Sequence, residues 1–187
     1  ILYWQRKQEL WKDLSNALPN KGHLFFKHLY DEGKLVGLIT QNIDGLHEKS
    51  GLPKEIIVNL HGTNLEVTCL DCGFTVPSED VFDRLDLEQG VPLCPECDGF
   101  FKPNTISFGQ QLRGEDLRRA NDLSVSCNLM IVVGSTLVVQ PASSIPSIAK
   151  EKGALLAIVT LSETPLDSYA DFVFHLKVED FINLFQS

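Results

Sequence analysis

The chain has 187 residues, of which 43% are hydrophobic and 22% are charged, and its formal net charge is −9 at pH 7. This composition is ordinary for a globular protein and excludes wholesale disorder. The acidic balance disfavours non-specific nucleic-acid binding, and the chain lacks the run of about eighteen apolar residues that a membrane-spanning helix needs. We therefore expect neither a direct nucleic-acid partner nor a membrane partner.

The length indicates one domain, or one domain that carries a small insert. No basic segment followed by an apolar core opens the chain, so we expect no secretion signal and an intracellular, cytoplasmic protein. Because the first residue is Ile1 and the only methionine is Met130, we expect the translated chain to start before Ile1.

The chain opens with two predicted helices and a predicted strand. Apolar residues at helical spacing predict a helix over residues 4–17, which Pro19 ends, and a second helix over residues 22–32. The apolar run over residues 35–39 predicts a short strand buried on both faces. The pattern continues with apolar runs at residues 56–58, 129–133, 154–159 and 172–176, and with helical stretches at 111–123 and 143–152. Buried strands that alternate with helices predict an α/β fold with a parallel sheet.

The segment over residues 64–110 interrupts this alternation and carries nine acidic residues against two basic ones. We predict that it is a small module inserted into an α/β domain formed by residues 1–63 and 111–187. A solvated acidic face is the ordinary interpretation of its charge. The functional alternative is that the charge steers a basic, lysine-bearing partner towards the protein.

The predicted insert contains two Cys-x-x-Cys pairs, formed by Cys69, Cys72, Cys94 and Cys97. Two such pairs place four thiolates around one tetrahedral ion, usually Zn²⁺, and a complete sulfur shell makes the ion structural. Two disulfides in a secreted domain are the alternative, which the lack of a signal peptide disfavours. A zinc-ribbon nucleic-acid binder also fits the cysteines, but the negative charge of the segment opposes it.

Polar residues follow the first two apolar runs, at the end of a parallel sheet where ligands bind. Gln41, Asn42 and Asp44 follow the first run, and their amides and carboxylate could bind a carboxamide and sugar hydroxyls. The alternative is that Asn42 or Asp44 caps a helix that begins near Gly45. His61 follows the second run and could act as a general base, although a structural histidine is the alternative.

A third polar segment, Gly134-Ser135-Thr136, follows the run over residues 129–133. A turn of small residues exposes backbone N–H groups and hydroxyls to a phosphate, and the alternative is an ordinary turn from a strand to a helix. The remaining histidines have no comparable context: His23, His28, His47 and His175.

These pieces stand in the order in which the sirtuin family carries them. The residues that resemble the family are Thr40-Gln41-Asn42-Ile43-Asp44, His61-Gly62, the two Cys-x-x-Cys pairs and Gly134-Ser135-Thr136. Further matches are Pro19-Asn20 with His23, Lys102-Pro103-Asn104, Phe108-Gly109, Thr164-Pro165-Leu166-Asp167 and Ala170-Asp171. The resemblance extends over essentially the whole chain.

The resemblance implies a Rossmann-like parallel sheet with an inserted zinc-ribbon module, and an NAD-dependent protein-lysine deacylase that also holds a structural Zn²⁺. The partner would be an acyl-lysine protein or peptide, and the products nicotinamide, free lysine and an O-acyl-ADP-ribose. His61 would be the catalytic base that activates a ribose hydroxyl, and Asn42 would also be catalytic. Cofactor contacts would come from Gln41, Asn42, Ile43, Asp44, Gly134, Ser135, Thr136 and Thr160. The residues Thr105, Ile106, Ser107 and Phe108 would pair with the substrate as a strand.

The sequence also departs from the family's pattern. The family's Gly-Ala-Gly-x-Ser loop would precede Ile1, so we expect the first strand and the pyrophosphate cradle to be missing from these residues. Ser107 stands where the family often has an aromatic residue, Gln110 where it has Glu, and Thr160 where it has Asn. The alternative function is therefore a catalytically impaired remnant that acts as a zinc-stabilised interaction module. The sequence leaves the oligomeric state open.

Overall fold

The structure is a computed structural model that describes residues 1–185. Its helices are α1 (Leu2–Asn16), α2 (Lys21–Asp31), α3 (Leu46–Lys49), α4 (Ser78–Phe82), α5 (Gly114–Ser126), α6 (Ile145–Glu151) and α7 (Val178–Asn183). Its strands are β1 (Leu38–Thr40), β2 (Ile57–Asn59), β3 (Gly62–Cys69), β4 (Thr75–Pro77), β5 (Phe101–Thr105), β6 (Leu129–Val133), β7 (Leu155–Val159) and β8 (Phe172–Phe174). Across these residues, no helix has both the length and the apolar character needed to cross a membrane.

The parallel strands form two sheets that are connected through side-chain packing. β1 pairs with β2, and a second parallel sheet has the order β6-β7-β8. Within residues 1–185 no strand ladder joins the two sheets. Val58 of β2 is nevertheless packed with Ala120 of α5 and Ile145 of α6, and Met130 of β6 lies against the same cluster. The predicted parallel α/β architecture is therefore confirmed.

Each of these strands extends only as far as a neighbouring strand is available to pair with it. The predicted strand over residues 35–39 is displaced to Leu38–Thr40, because residues Lys54–Ile56 before β2 form a 3₁₀ turn and offer no ladder to residues 35–37. β8 ends at Phe174 instead of residue 176, since Phe174 lies opposite Val159, the last residue of β7. Helix α5 begins at Gly114, three residues after the predicted start at 111.

An antiparallel sheet over residues 62–105 has the strand order β4-β3-β5 and ends at the cysteine pairs. Val67 of β3 lies opposite Val76 of β4, and Cys69 lies opposite Phe101. Helix α1 covers this sheet, because Trp4 is buried with Val67 in the same apolar cluster. The predicted boundaries of the insert at residues 64 and 110 stay a prediction, since packing contacts do not define a separately folding unit.

Candidate functional site

The three polar segments that follow β1, β2 and β6 meet at the carboxyl ends of these strands. The Gln41 side chain donates through Nε2 to Oγ of Ser135, at a long distance of 3.5 Å. Nδ1 of His61 lies 3.1 Å from the backbone carbonyl oxygen of Gln41. Residues that stand up to 94 positions apart in the sequence therefore meet at the strand ends, and we call this meeting place the crevice.

The contact between His61 and Gln41 fixes how the imidazole can act. A carbonyl oxygen only accepts hydrogen bonds, so Nδ1 of His61 must carry the proton in this contact. In the neutral ring, the lone pair is then on Nε2. The half-buried His61 is thus held in the tautomer that a general base needs.

Asp44 combines a predicted ligand position with a structural role. Its Oδ1 accepts a hydrogen bond from the backbone N–H of Leu46, the first residue of α3, at 3.0 Å. The N-cap of α3 is Gly45 and no side chain among residues 1–185 caps this helix, so the capping alternative is wrong for Asp44, which stays half-buried in the loop after β1. Asn42 is exposed beside it, and its N–H donates to Oγ1 of Thr40 at 3.0 Å. The carbonyl of Ile43 accepts from the N–H of Asn64 at 2.9 Å, which ties this loop to β3.

The turn after β6 is partly occupied by its own hydrogen bonds. The N–H of Gly134 donates to the carbonyl of Val159 at 2.9 Å, so this predicted phosphate donor is engaged within the sheet. Ser135 Oγ accepts from the N–H of Leu137 at 3.2 Å, whereas Thr136 is exposed. Thr160, at the end of β7, is 6% exposed and donates its N–H to the carbonyl of Phe174.

The predicted substrate segment runs directly from His61. The N–H of Ile106 donates to the carbonyl of His61 at 2.8 Å, and Thr105 lies opposite Gly62 in the sheet. This close approach requires glycine, because Gly62 has φ 74° and a Cβ there would lie 2.0 Å from the carbonyl oxygen of Asn104. Beyond Ile106 the segment turns outwards, and Ser107 and Phe108 are exposed.

The four predicted zinc ligands form one cluster. The sulfur atoms of Cys69, Cys72, Cys94 and Cys97 all lie within 4.8 Å of one another. Two of these separations, Cys69 to Cys97 and Cys72 to Cys94, are 3.6 Å. Tetrahedral coordination with Zn–S bonds of about 2.3 Å requires sulfur atoms about 3.8 Å apart, whereas a disulfide requires about 2.05 Å. The donor set and its spacing therefore fit a structural zinc ion, and all cysteines of the chain are free thiols.

The titration of these thiols depends on their contacts with one another and with the backbone. The N–H of Cys72 is the main cause that lowers the pKa of the Cys69 thiol to about 7. The N–H of Gly99 acts to lower the pKa of Cys97, but hydrogen bonds with Cys72 and Cys69 raise that pKa to about 12. The Cys69 thiol therefore ionises more readily than the Cys97 thiol. A divalent cation that binds the cluster would displace the remaining thiol protons.

Two histidines without a predicted role lie next to the crevice. His23 and His47 are 8% and 9% exposed, and their ring centroids lie 4.6 Å apart. Within the described part of the chain, Nδ1 of His47 is buried without a hydrogen-bond partner. Burial lowers the pKa of His47 to about 4, helped by the nearby His23 and opposed by the charge of Asp44. Sequence reasoning missed this pair because the contact joins α2 to α3; only the Asn20-x-x-His23 capping spacing was a local signal.

The depressed pKa of His47 predicts a loss of stability in acid. Below about pH 6.5 the unfolded chain takes up a proton at this histidine, whereas the folded chain resists protonation down to about pH 4. Stability therefore falls as the pH drops through this window, by at most about 3 kcal/mol and by less where solvent screens the charge. We expect a His47→Gln variant to lose less stability than the parent chain between pH 7 and pH 5, as measured by urea unfolding.

His28→Gln is the matched control for this measurement, because the His28 side chain is 66% exposed and makes only a surface contact with Glu32. This variant should keep the pH dependence of the parent chain. Equal slopes for the parent chain and the His47→Gln variant would contradict the assignment.

The chain is similar in sequence to known proteins over most of its length. Residues 2–141 match the Sir2 family. The chain is 41% identical over 170 residues to the NAD-dependent protein deacetylase 1 of Bradyrhizobium diazoefficiens, covering 91% of this chain and 66% of that protein. It is 40% identical over 165 residues to the NAD-dependent protein deacetylase of Thermotoga maritima, covering 88% and 66%. A protein of Caldanaerobacter subterraneus named NAD-dependent protein deacylase 1 is 36% identical, with 99% and 74% covered.

Solved structures match over nearly the whole chain. Sir2Tm bound to a propionylated peptide superimposes with a TM-score of 0.86 at 36% identity, covering 97% of this chain and 78% of that chain. A complex of Sir2, a p53 peptide and NAD⁺ gives a TM-score of 0.83 at 36% identity, with the same coverage. These matches confirm the expected Rossmann-like α/β fold. The chain spans about two thirds of the length of the Bradyrhizobium and Thermotoga relatives.

Proposed function

Because the chain belongs to the Sir2 family, we propose that it is an NAD-dependent protein-lysine deacylase. The observation that carries the proposal is the meeting of His61 with Gln41 and with Ile106 at the ends of β1, β2 and β5. A base in a defined tautomer thus lies between a polar crevice and an edge that can pair with a peptide. The named relatives are deacetylases or deacylases, which supports the same reaction class.

The crevice offers suitable partners for NAD. Gln41 and Asn42 supply amides, and Asp44 and Ser135 supply further polar oxygens for a carboxamide and sugar hydroxyls. When bound, NAD supplies the electrophilic ribose carbon to which the acyl oxygen bonds as nicotinamide leaves. We assign cofactor contacts to Gln41, Asn42, Ile43, Asp44, Gly134, Ser135, Thr136 and Thr160, with Asn42 also in a catalytic role.

The catalytic proton transfer is assigned to His61. Its Nδ1–H stays on the Gln41 carbonyl, so the ring cannot turn without losing that hydrogen bond. Nε2 then takes the proton from a ribose hydroxyl, and the cationic ring keeps both N–H donors. Holding the base at the strand ends means that the transfer needs no reorganisation of the protein.

The substrate is an acyl-lysine protein or peptide. We assign its binding to Thr105, Ile106, Ser107 and Phe108, because this segment continues β5 past His61 and β5 is an edge strand of the β4-β3-β5 sheet. Sir2Tm in complex with a propionylated peptide supports a peptide substrate.

The four cysteines hold the structural zinc, and residues 1–63 and 111–187 form the NAD-binding domain around a module of residues 64–110. Free thiols suit a reducing compartment, so we place the protein in the cytoplasm.

The direct test is release of nicotinamide. The zinc-loaded chain is incubated with NAD and an acetyl-lysine peptide, and nicotinamide is measured by chromatography. We expect release with the acyl-lysine peptide and none with the same peptide carrying unmodified lysine, because the acyl oxygen is the attacking atom. Release that is independent of the acyl group would contradict the proposed reaction.

A zinc-stabilised interaction module without catalytic activity is the second candidate. The separation of the β1-β2 sheet from the β6-β7-β8 sheet within residues 1–185 favours it, since Gln41 and Ser135 are then joined only by a long hydrogen bond. The two candidates differ in NAD binding: a cofactor that binds the folded chain raises its melting temperature. A rise with NAD excludes the second candidate, and no rise together with no nicotinamide release supports it.

A further inference from the structure

Three exposed apolar side chains form one patch at the tip of the antiparallel sheet. Leu70, Leu93 and Phe100 are 65%, 48% and 60% exposed. They are neighbours in space, because the N–H of Leu70 donates to the carbonyl of Phe100 at 2.9 Å and Leu93 pairs with Phe100 in an antiparallel bridge. We call these three residues the tip patch.

The tip patch lies away from the crevice. It follows the end of β3 where Cys69 is opposite Phe101, whereas His61 adjoins the other end, where Gly62 is opposite Thr105. β3 has eight residues, so its ends lie at most about 26 Å apart at a rise of about 3.3 Å per residue. The patch therefore does not belong to the peptide-binding segment over residues 105–108.

Three carboxylates lie within three residues of the tip patch in the sequence. Asp71 and Glu96 stand within the two Cys-x-x-Cys pairs, Asp98 directly follows the second pair, and all three are exposed. A Cβ on Gly99 would lie 2.3 Å from Oδ2 of Asp71, so this carboxylate lies against the residue that precedes Phe100. None of the ion pairs formed within residues 1–185 involves these three carboxylates. Their charge is therefore available to a partner.

The turns that present the patch are held in place by the cysteine cluster. Leu70 directly follows Cys69, and Leu93 directly precedes Cys94, so metal ligands adjoin two of the three apolar residues. A surface that is ordered before binding loses little conformational entropy on binding. An apolar centre with a charged rim is the usual anatomy of a protein–protein contact.

We propose that the tip patch and its acidic rim dock a lysine- and arginine-rich protein segment with apolar residues at its centre. The negative charge of the rim selects a basic segment and speeds its association with the protein. The apolar centre of the patch provides the contact that keeps the segment bound. Building on the proposed deacylase function, this segment belongs to the substrate protein, about eight residues of extended chain away from the acyl-lysine. The patch then contributes to substrate choice without touching the reacting atoms.

Binding is measured by fluorescence anisotropy of a labelled peptide, Lys-Arg-Lys-Leu-Phe-Lys-Arg-Lys, added to the zinc-loaded chain. We expect a Leu70→Ser and Phe100→Ser double variant to bind about tenfold more weakly, as for loss of a central apolar contact. Leu155→Ser is the matched control, because Leu155 is 48% exposed on β7 and should leave the affinity unchanged. Peptides with glutamate in place of the basic residues, or with serine in place of Leu-Phe, should bind weakly.

A second variant keeps the test decisive if the double variant fails to fold. Glu96→Lys leaves the apolar side chains in place and reverses one rim charge, so it should weaken binding and reduce its dependence on salt. Unchanged affinity in Glu96→Lys would overturn the proposal, as would unchanged affinity in a folded double variant or equal binding of the glutamate peptide.

A kinetic comparison then connects docking to the reaction. Two acetyl-lysine peptides are compared, one of which carries the basic, apolar-centred segment about eight residues away. We expect the segment to lower KM and leave kcat unchanged in the parent chain, and to lose this effect in Glu96→Lys. If neither peptide releases nicotinamide, the proposed function fails, but the anisotropy experiment still decides whether the tip patch binds.

Discussion

Removing the zinc ion is expected to unfold the β4-β3-β5 sheet. Sulfur-ligated zinc contributes on the order of 10 kcal/mol of folding free energy in small metal-dependent modules, which exceeds what a sheet of this size gains from its own core. The measurement is tryptophan fluorescence during chelation, because both tryptophans pack on this module: Trp4 lies in its core, and Trp11 stacks on Phe82 at 5.0 Å. We expect both indoles to become exposed.

Cys94→Ser should reproduce the effect of the chelator, because it removes one of four ligands from a buried position. Cys127→Ser is the matched control: Cys127 lies outside the cluster, is half-buried, and makes only a weak contact with the carbonyl of Ser124. This control should keep one zinc per chain and the parent spectrum. Full zinc content and unchanged fluorescence in Cys94→Ser would contradict the four-thiolate assignment.

The zinc cluster was predictable because its signal is local. Two short Cys-x-x-Cys spacings bring each pair of thiols together whatever the rest of the chain does, and only the meeting of the pairs depends on β3 and β5. The strands β6 and β7 were equally clear, since runs such as Leu129–Val133 are too short for a helix and too apolar for a loop. In these cases the sequence pattern and the tertiary structure agree.

The parts that sequence reasoning missed depend on contacts between distant segments. The periodicity of α1 predicts a helix but does not reveal that Trp4 is buried in the same apolar cluster as Val67 and Phe101. Residues 35–37 are apolar enough for a strand, but the chain opposite them is a 3₁₀ turn. Asp44 was open between ligand and cap; the N-cap of α3 is Gly45, and one oxygen of Asp44 instead accepts from the N–H of Leu46 in the turn before the helix. A carboxylate has two acceptor oxygens, so this turn hydrogen bond and a hydrogen bond to a ligand can coexist.

His61→Asn is expected to abolish nicotinamide release while the chain still binds NAD. Asparagine can place its Nδ2 donor near the position of the imidazole Nδ1–H and so keep the contact with the Gln41 carbonyl. It has no group that accepts a proton at the position of Nε2, and loss of a general base costs about 10²- to 10⁴-fold in rate. Nicotinamide release and the NAD-induced rise in melting temperature are measured on the same preparation.

Comparison with His61→Ala separates the two functions of the imidazole. Alanine removes both the base and the Nδ1–H donor, so the loop over residues 41–44 also loses an anchor and NAD should stabilise the chain less. If both variants lose nicotinamide release, proton transfer is assigned to Nε2. If only His61→Asn keeps the NAD-induced thermal shift, positioning of the loop is assigned to Nδ1. Turnover close to that of the parent chain in His61→Asn would show that the histidine only positions the loop, and the base would then have to be sought elsewhere in the crevice.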